Sequence, residues 1–351
     1  MPASEEKISV LIVDDSPSQR AALAKAMKAH GLNVLGGAAD AYVARDLIFK
    51  LRPQVLTLDL QMPGMNGLTF LEKLMAYRPM PVVILSSLTS SHSELAMRAM
   101  ELGAVEVCPK PSGGDPKADL ERLAFAIRRA AQARPRPLTG LPGAVASAPA
   151  QGLALDRVVA IGASTGGTAA LAALLPQLPA VHPPIVIVQH MPPGFTAPFA
   201  ARLDKLCRLT VREAKDGDFL APGLALVAPA GLQMTVIGEA GRHQVRCREG
   251  ARQHHVAPSV DVLFNSMAKA VGDRGVALLL TGMGRDGAEG MLAMRQAGAR
   301  CLAQDEASSV VWGMPGAAMK CGAAEEAVAL PWMAQKLAAL LRSEGAYVER
   351  P

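Results

Sequence analysis

The sequence is poor in aromatic residues and in cysteine. Phe, Trp and Tyr together make up 3% of the 351 residues, and the five cysteines lie far apart with no C-x-x-C pair. That spacing suggests neither a disulfide framework nor a zinc site. No apolar run approaches the length of a membrane span, and the polar, acidic N-terminus does not have the pattern of a signal peptide. We therefore expect a cytoplasmic protein with no membrane insertion.

An excess of charge of one sign is also lacking. The formal net charge of +5 is modest for this length, and Lys and Arg alternate with Asp and Glu throughout the chain. This pattern argues against nucleic acid as a partner. Half of the residues are hydrophobic, so the chain can form two globular domains with separate cores.

Short apolar runs alternate with amphipathic helical patterns through the first 130 residues. This alternation predicts a doubly wound parallel sheet. The predicted strands are Ile8–Val13, Leu32–Leu35, Val55–Leu58, Val82–Leu85 and Val105–Cys108. In such sheets, binding sites form beyond the carboxyl ends of the strands.

Acidic residues follow two of these strands. Asp14 and Asp15 come after the first strand and Asp59 after the third. Three adjacent carboxylates repel one another, which favours a bound divalent cation such as Mg²⁺ among them. Ser86 and Lys110 end the fourth and fifth strands, and a hydroxyl and an ammonium group suit a phosphorylated carboxylate. Each residue alone has an ordinary interpretation as a cap, a turn or a solvated lysine, but the set predicts a phosphorylation site.

Three motifs resemble the two-component receiver domain, and the resemblance covers residues 7–131. They are Val13-Asp14-Asp15-Ser16, the stretch from Leu58 to Gly67, and Lys110-Pro111. The resemblance implies that a histidine kinase phosphorylates Asp59, and it assigns Ser86 as the switch hydroxyl and Lys110 as the phosphate partner. It implies that Mg²⁺ is held by Asp14, Asp15, Asp59 and the Gln61 carbonyl. It also implies a cis peptide at Lys110-Pro111. Val107 departs from the pattern, since receivers often have an aromatic residue there.

A proline-rich stretch without hydrophobic periodicity separates this region from the rest of the chain. It runs from Arg134 to Ala154. We predict a receiver domain over residues 1–131, a linker over 132–154 and a second α/β domain over 155–345.

The second domain opens with an apolar strand that ends in Gly162-Ala163-Ser164-Thr165-Gly166. This stretch fits the G-x-S-x-G pattern of a nucleophilic serine on a strand-to-helix turn. It fits a phosphate-binding glycine turn equally well. The next strand, Ile185–Val188, ends at Gln189-His190. A dinucleotide fold would need an acid there, whereas a histidine suits a general base.

Asp286 follows a third strand, Val276–Leu280. Ser164, His190 and Asp286 at three parallel-strand ends would supply a nucleophile, a base and a group that orients the base. The backbone amides near Met283 and Thr165 are candidate oxyanion donors.

Residues 210–249 have a different pattern, with short strands separated by turns. The predicted strands are Leu224–Val227, Gln233–Ile237 and Gln244–Arg248. This predicts an antiparallel β insertion. The expected fold is therefore an N-terminal receiver and a C-terminal Rossmann-like α/β hydrolase domain with that insertion.

Five motifs together resemble the chemotaxis protein-glutamate methylesterase family. They are Ile161–Gly167, Gln189–Pro192, Pro258–Phe264, Thr281–Gly287 and Val311–Pro315. The resemblance implies a catalytic triad of Ser164, His190 and Asp286, with Met283 as an oxyanion donor. The implied substrate is the glutamyl methyl ester on cytoplasmic helices of chemoreceptors, with glutamine deamidation as a second activity. We expect a monomer with no organic cofactor.

The order of receiver, linker and hydrolase predicts regulation. We expect the unphosphorylated receiver to cover part of the catalytic cleft and phosphorylation of Asp59 to favour an open arrangement. Two alternatives are a nucleotide-binding oxidoreductase, which would use the glycine turn for phosphate, and a non-catalytic response regulator that only docks on receptors.

Overall fold

The chain forms two compact units, Met1–Gly140 and Leu141–Pro351. The computed structural model describes residues 7–62, 66–87, 90–111, 116–135, 152–239, 242–254 and 256–342. The predicted linker lies mostly outside these described residues, as do Pro63, Gly64 and Met65 of the receiver motif. Among the described residues, no helix has both the length and the apolar character needed to cross a membrane.

The described part of the first unit alternates five strands with five helices. The strands are β1 (Ser9–Val13), β2 (Asn33–Ala38), β3 (Val55–Asp59), β4 (Val82–Ser86) and β5 (Glu106–Pro109). The helices are α1 (Pro17–Ala29), α2 (Ala41–Leu51), α3 (Gly67–Tyr77), α4 (Ser90–Glu101) and α5 (Pro116–Ala130). The helix starts follow the sequence: Ser16, Asp40 and Asn66 cap α1, α2 and α3 with side-chain oxygens that accept backbone N–H groups.

The strands of the first unit pair in parallel in the order β2-β1-β3-β4-β5. This confirms the doubly wound sheet predicted from the sequence. The central strands β3 and β4 are buried along their whole length, because helices cover both faces of such a sheet. The strand order reverses between β1 and β3, and the crevice at such a reversal is where sites form in this class of fold.

The described part of the second unit has nine strands and six helices. The strands are β6 (Val158–Ala163), β7 (Ile185–Gln189), β8 (Thr210–Glu213), β9 (Leu224–Val227), β10 (Gln233–Ile237), β11 (Gln244–Arg248), β12 (Gly275–Leu279), β13 (Arg300–Gln304) and β14 (Glu326–Val328). The helices are α6 (Gly167–Leu174), α7 (Thr196–Leu206), α8 (Val260–Ala270), α9 (Ala288–Gln296), α10 (Met314–Lys320) and α11 (Leu330–Leu340).

Seven of these strands form one parallel sheet in the order β14-β13-β12-β6-β7-β9-β8, within the residues described for this unit. β12, β6 and β7 are therefore neighbours at its centre. All three are buried along their length. Their carboxyl ends lie side by side, so the segments that follow them meet at one edge of the sheet.

The antiparallel insertion is smaller than the sequence predicts. β10 and β11 pair antiparallel as a separate two-stranded sheet. Leu224–Val227, however, pairs in parallel with β7 and β8 and belongs to the main sheet. Its unbroken Leu-Ala-Leu-Val run is typical of a parallel strand covered on both faces, rather than of a half-exposed hairpin strand.

The expected cis peptide at Lys110-Pro111 is not found. The cis X–Pro bond of the described chain is Ala257–Pro258, so this expectation from the receiver resemblance was wrong. Lys110 still lies beside the end of β4, because its backbone N–H donates to the Ser86 carbonyl at 2.9 Å.

Candidate active site

The candidate nucleophile, Ser164, lies on a tight turn directly after β6. The turn closes through a hydrogen bond from the Gly167 N–H to the Ser164 carbonyl, 2.8 Å long, and Gly166 has a φ of +78°, a conformation that favours glycine. The Ser164 N–H also donates to the Thr281 carbonyl at 3.0 Å. The serine is 4% exposed, so little of this residue reaches solvent.

Gln189, the last residue of β7, fastens this turn to His190. Its buried side-chain Nε2 donates to the Ser164 carbonyl at 2.9 Å and to the His190 carbonyl at 3.1 Å. The His190 N–H in turn donates to the Ala163 carbonyl at 3.0 Å. The sequence had suggested only that Gln189 could not serve as a ribose-binding acid. The structure shows instead that Gln189 joins the two strand ends.

His190 pairs with Asp286 through its Nε2 atom. Nε2 lies 2.8 Å from Asp286 Oδ2, and the two side chains are 7% and 3% exposed. A carboxylate only accepts, so the neutral ring carries its proton on Nε2 and leaves the Nδ1 lone pair available as a base. No hydrogen bond joins Ser164 to His190 within the described residues. Such bonds are often long before substrate binds.

The first residues of α8 surround the Asp286 carboxylate. Ser259 Oγ donates to Oδ1 at 2.7 Å, and the N–H groups of Val260 and Asp261 donate at 2.8 and 3.0 Å. Burial by itself raises the pKa of Asp286, but the hydrogen bond and charge of His190, with these donors, lower it to about 2. Asp286 therefore stays ionised throughout the neutral range.

Met283 stands on the loop between β12 and α9, close to the serine turn. A Cβ on the preceding Gly282 would lie 2.8 Å from the Cβ of Ser164, so only glycine allows the two segments to pack this closely. The N–H of Met283 donates no hydrogen bond within the described residues. It is therefore available to an oxyanion. Thr165 follows the serine in the turn, and its carbonyl accepts from Thr281 Oγ1 at 3.0 Å.

The motif Val311–Pro315 packs against that loop through backbone hydrogen bonds. Gly313 and Met314 donate backbone hydrogen bonds to the Gly282 carbonyl at 3.0 and 2.8 Å. The indole N–H of Trp312 donates to the Gln304 carbonyl at 2.9 Å. The tryptophan thus fixes the position of a turn and lies outside the group of candidate catalytic residues.

A second site in the described chain lies at the strand ends of the first unit. The carboxylate oxygens of Asp14, Asp15 and Asp59 lie within 4.8 Å of one another. Lys110 Nζ donates to Asp59 Oδ2 at 2.5 Å and lies 4.0 Å from Asp14 Oδ2. The Gln61 N–H donates to Asp59 Oδ1 at 3.1 Å. The acids and the lysine predicted from the sequence are therefore together in the fold.

This acidic cluster has the chemistry of a hard-cation site. Asp14 Oδ2 is buried and has no hydrogen-bond partner among the described atoms, which is costly unless a cation binds it. Burial raises the pKa of Asp14, and the neighbouring charges of Asp59 and Asp15 act in the same direction. Ser86, 4% exposed, lines the same small cavity as Asp59, Gln61 and Lys110. The group can thus hold a divalent metal ion beside a phosphorylated Asp59.

Comparison with known proteins finds one family model within each of the two compact units. Residues 159–337 match the family model described as CheB methylesterase, and residues 10–119 match the response regulator receiver domain. A protein-glutamate methylesterase/protein-glutamine glutaminase of Yersinia pestis bv. Antiqua is 47% identical over 96% of this chain and 98% of its own length. The chain belongs to the CheB methylesterase family.

Two further CheB relatives support this assignment. A protein of Pectobacterium atrosepticum, also named protein-glutamate methylesterase/protein-glutamine glutaminase, is 48% identical over 95% of this chain and 97% of its own length. The crystal structure of the Thermotoga maritima CheB methylesterase catalytic domain is 36% identical, with a TM-score of 0.51, and covers 52% of this chain and 98% of that one. Both the receiver and the catalytic part of the sequence-based fold prediction are confirmed.

Two residues near the CheB site escaped the sequence analysis as contributors. Ser259 caps α8 by accepting from the Val262 N–H, and its hydroxyl also donates to Asp286. Gln189 had been considered only as a residue that cannot replace the acid of a dinucleotide-binding fold. A serine or glutamine contact to a distant strand depends on tertiary packing, and the local pattern of the sequence does not contain it.

Gly167 of this CheB family member is expected to tolerate no side chain. A Cβ there would lie 2.1 Å from Gln189 Oε1 and 2.7 Å from the Ala163 Cβ. We expect Gly167→Ala to lower the free energy of unfolding by about 1–3 kcal/mol, measured by urea unfolding. The variant should also slow the labelling of Ser164 by a fluorophosphonate, because the turn must shift.

Gly36→Ala is the matched control. A Cβ at Gly36 would meet nothing closer than 3.7 Å, so both stability and labelling should stay near the wild-type values. Wild-type stability and labelling in Gly167→Ala would show that the turn does not depend on the close approach of Gln189.

Proposed function

We propose that this chain hydrolyses glutamyl methyl esters on the cytoplasmic part of chemoreceptors by a Ser164-His190-Asp286 triad. The observation that carries the proposal is the His190–Asp286 pair, 2.8 Å between Nε2 and Oδ2, at a strand end adjacent to the one that bears Ser164. The names of the two relatives, which include both methylesterase and glutaminase, support this choice of substrate.

Acylation begins when Ser164 Oγ attacks the ester carbonyl carbon and His190 Nδ1 takes the hydroxyl proton. The carbonyl oxygen becomes an oxyanion, which the N–H groups of Met283 and Thr165 stabilise. The intermediate then collapses, and the bond between the carbonyl carbon and the methoxy oxygen breaks. His190 gives its proton to that oxygen, so methanol leaves and the glutamyl group is esterified to Ser164.

Deacylation repeats these steps with water as the nucleophile. His190 takes a proton from water, the hydroxide attacks the acyl carbon, and the Ser164 oxygen leaves with the proton that His190 returns. The product is a free glutamate side chain. A glutamine side chain passes through the same acyl-enzyme with ammonia as the leaving group, which is the deamidase activity expected from the resemblance.

Asp286 acts through the histidine rather than on the substrate. Its carboxylate holds the Nε2 proton and thereby fixes the tautomer in which Nδ1 is the base. The same charge stabilises the imidazolium that forms in each half of the reaction. Its low pKa, about 2, keeps the charge in place.

In the receiver, Asp59 is the proposed phosphoryl acceptor. Asp14, Asp15, Asp59 and the Gln61 carbonyl would hold Mg²⁺, which when bound neutralises charge on the transferred phosphoryl group. Lys110, already bonded to Asp59, would pair with the phosphate, and Ser86 would donate to one of its oxygens. The partners we infer are chemoreceptors and a histidine kinase. The monomeric state, the cytoplasmic location and the predicted domain bounds stay predictions.

Regulation gives the first test of the whole proposal. In the full-length chain, acetyl phosphate with Mg²⁺ should raise the rate of methanol release from methylated receptor by about 5- to 150-fold, the usual range for coupling between two sites. The physical reason is that phosphorylation changes the charge at the strand ends of the receiver and shifts its population of conformations. Asp59→Asn, which has no carboxylate to phosphorylate, should not respond.

Metal removal serves as the control. EDTA should abolish the stimulation while leaving the basal rate unchanged, because the triad needs no metal. Equal stimulation of wild type and Asp59→Asn would contradict Asp59 as the acceptor. A basal rate that falls with EDTA would contradict the metal-free mechanism of hydrolysis.

A further inference from the structure

Two buried carboxylates lie side by side behind His190. Atoms of Asp261, Asp286 and His254 all lie within 4.8 Å of one another. Asp286 faces His190, and Asp261 faces His254, whose Nε2 is 3.1 Å from Asp261 Oδ2. The Asp261 side chain is 3% exposed. The site therefore contains a second acid–histidine pair next to the one in the triad.

Protein donors, rather than a cation, satisfy this pair of acids. The two oxygens of Asp286 each accept two hydrogen bonds, from the groups already described. Asp261 Oδ1 accepts from the Gly290 N–H at 2.7 Å, and Oδ2 faces His254. Because each oxygen already has a donor, the cluster gives no reason to place a metal ion there.

The hydrogen bond between Gly290 and Asp261 fixes the loop that carries Asp286, which we call the triad loop. Gly290 lies in the first turn of α9, just after the loop that carries Asp286. A Cβ at Gly290 would lie 2.8 Å from the Asp261 carbonyl oxygen, so α8 and α9 pack at a distance that only glycine permits. The Asp261 side chain thus holds the start of α9 against α8, and with it the end of the loop that positions Asp286.

The environments of the two acids differ. Burial raises the pKa of Asp261, and the negative charge of Asp286 raises it further. The hydrogen bonds from Gly290 and His254 lower it but do not cancel the increase. The pKa of Asp286 is instead lowered. The charged groups facing Asp261 are Asp286 and His254, and beyond Asp286 lies His190. Glu289, also on α9, is paired with Arg285 at the surface.

We propose that Asp261 is a positioning residue for ester hydrolysis, which fixes the triad loop through Gly290 and supplies a second negative charge behind Asp286. This inference rests on the proposed role of His190 as the base. Two negative charges, those of Asp286 and Asp261, stabilise the protonated imidazole better than one, so Asp261 favours transfer of the serine proton to His190.

The test is the pH dependence of kcat/KM for Asp261→Asn in the full-length chain. Asparagine keeps a carbonyl oxygen for the Gly290 N–H and removes the charge, and its amide nitrogen replaces the oxygen that faces His254 Nε2. Loss of that charge makes a proton on His190 less favourable. The acid limb of the kcat/KM profile should therefore move to lower pH by roughly half a unit or more. On the plateau, kcat for methanol release from methylated receptor should fall about tenfold, with KM unchanged.

Glu289→Gln is the matched control, because it removes an exposed acid from the residue next to Gly290. We expect the pH profile of kcat/KM for Glu289→Gln to match that of the wild type. Asp261→Glu, which restores the charge, should return the acid limb toward its wild-type position. A purely structural role of Asp261 would lower kcat or stability without moving the acid limb.

An unchanged acid limb in folded Asp261→Asn, or an equal shift in Glu289→Gln, would overturn the proposal. If urea unfolding shows that Asp261→Asn does not fold, Asp261→Ser, a smaller neutral side chain, is judged by the same criterion. Loss of folding in both, with a wild-type profile in Asp261→Glu, would assign the residue to stability and also overturn it. Failure of the triad itself is distinguishable, since it would appear as activity in Ser164→Ala.

Discussion

Ser164→Ala is expected to lower kcat for methanol release by about 10⁴-fold or more, as in other serine triads. The variant keeps the turn, because the hydrogen bonds that shape it involve the backbone of Ser164 and the side chain of Gln189. What it loses is the oxygen that forms the acyl-enzyme. KM for methylated receptor should stay within a few-fold of wild type, since receptor binding does not use that hydroxyl.

Thr168→Val is the matched control for this experiment. Thr168 carries a buried hydroxyl on α6, one turn after the serine, and Oγ1 has no hydrogen-bond partner among the described residues. Removing that hydroxyl should leave kcat near the wild-type value. A Ser164→Ala variant within tenfold of wild type would remove Ser164 from the mechanism, whatever the behaviour of the control.

Asp286→Asn is expected to lower kcat by about 10⁴-fold as well, for a different reason. An asparagine amide can donate to His190 Nε2, which stabilises the tautomer with the proton on Nδ1. That nitrogen then faces the serine with a proton and cannot act as the base. The rate of fluorophosphonate labelling of Ser164 should fall in parallel, because labelling needs the same base.

The pH dependence of stability gives a second measurement on the same variant. The pKa of Asp286 is lower when folded, about 2 against an ordinary value of 3.8, so the unfolded chain binds the proton more tightly. The stabilisation is therefore fully present above about pH 4 and is lost as the pH falls toward 2. Asp286→Asn should lose this part of the acid sensitivity in urea unfolding. Wild-type acid sensitivity in the variant would show that the carboxylate is not held as described.

The sequence predicted the fold well because both units are built from parallel strands. A strand buried on both faces has a continuous apolar run, and the residue that ends the run lies at the edge where sites form. This is why Asp59, Ser164 and His190 could be selected from the sequence. The same rule also shows where the prediction of the insertion was wrong. Leu224–Val227 has the apolar run of a central strand. It had been assigned to the insertion because the short strands predicted after it are separated by turns.

Other features of the site depend on tertiary contacts and could not be predicted. The choice of Nε2 as the atom that faces Asp286 depends on the ring orientation at the end of β7. The donors around Asp286 come from the start of α8, about 25 residues earlier in the chain. The hydrogen bond between Asp261 and Gly290 likewise spans two helices. Such contacts between distant segments have no periodicity for a sequence pattern to reveal.

The most direct test of the central claim is methanol release from a methylated chemoreceptor fragment by the full-length wild-type chain. The assay is run with and without acetyl phosphate, and beside an unmethylated fragment. We expect release from the methylated fragment only, a faster rate with acetyl phosphate, and a matching increase in free glutamate side chains by mass spectrometry. A methylated fragment that keeps its esters under all of these conditions would contradict the proposed function.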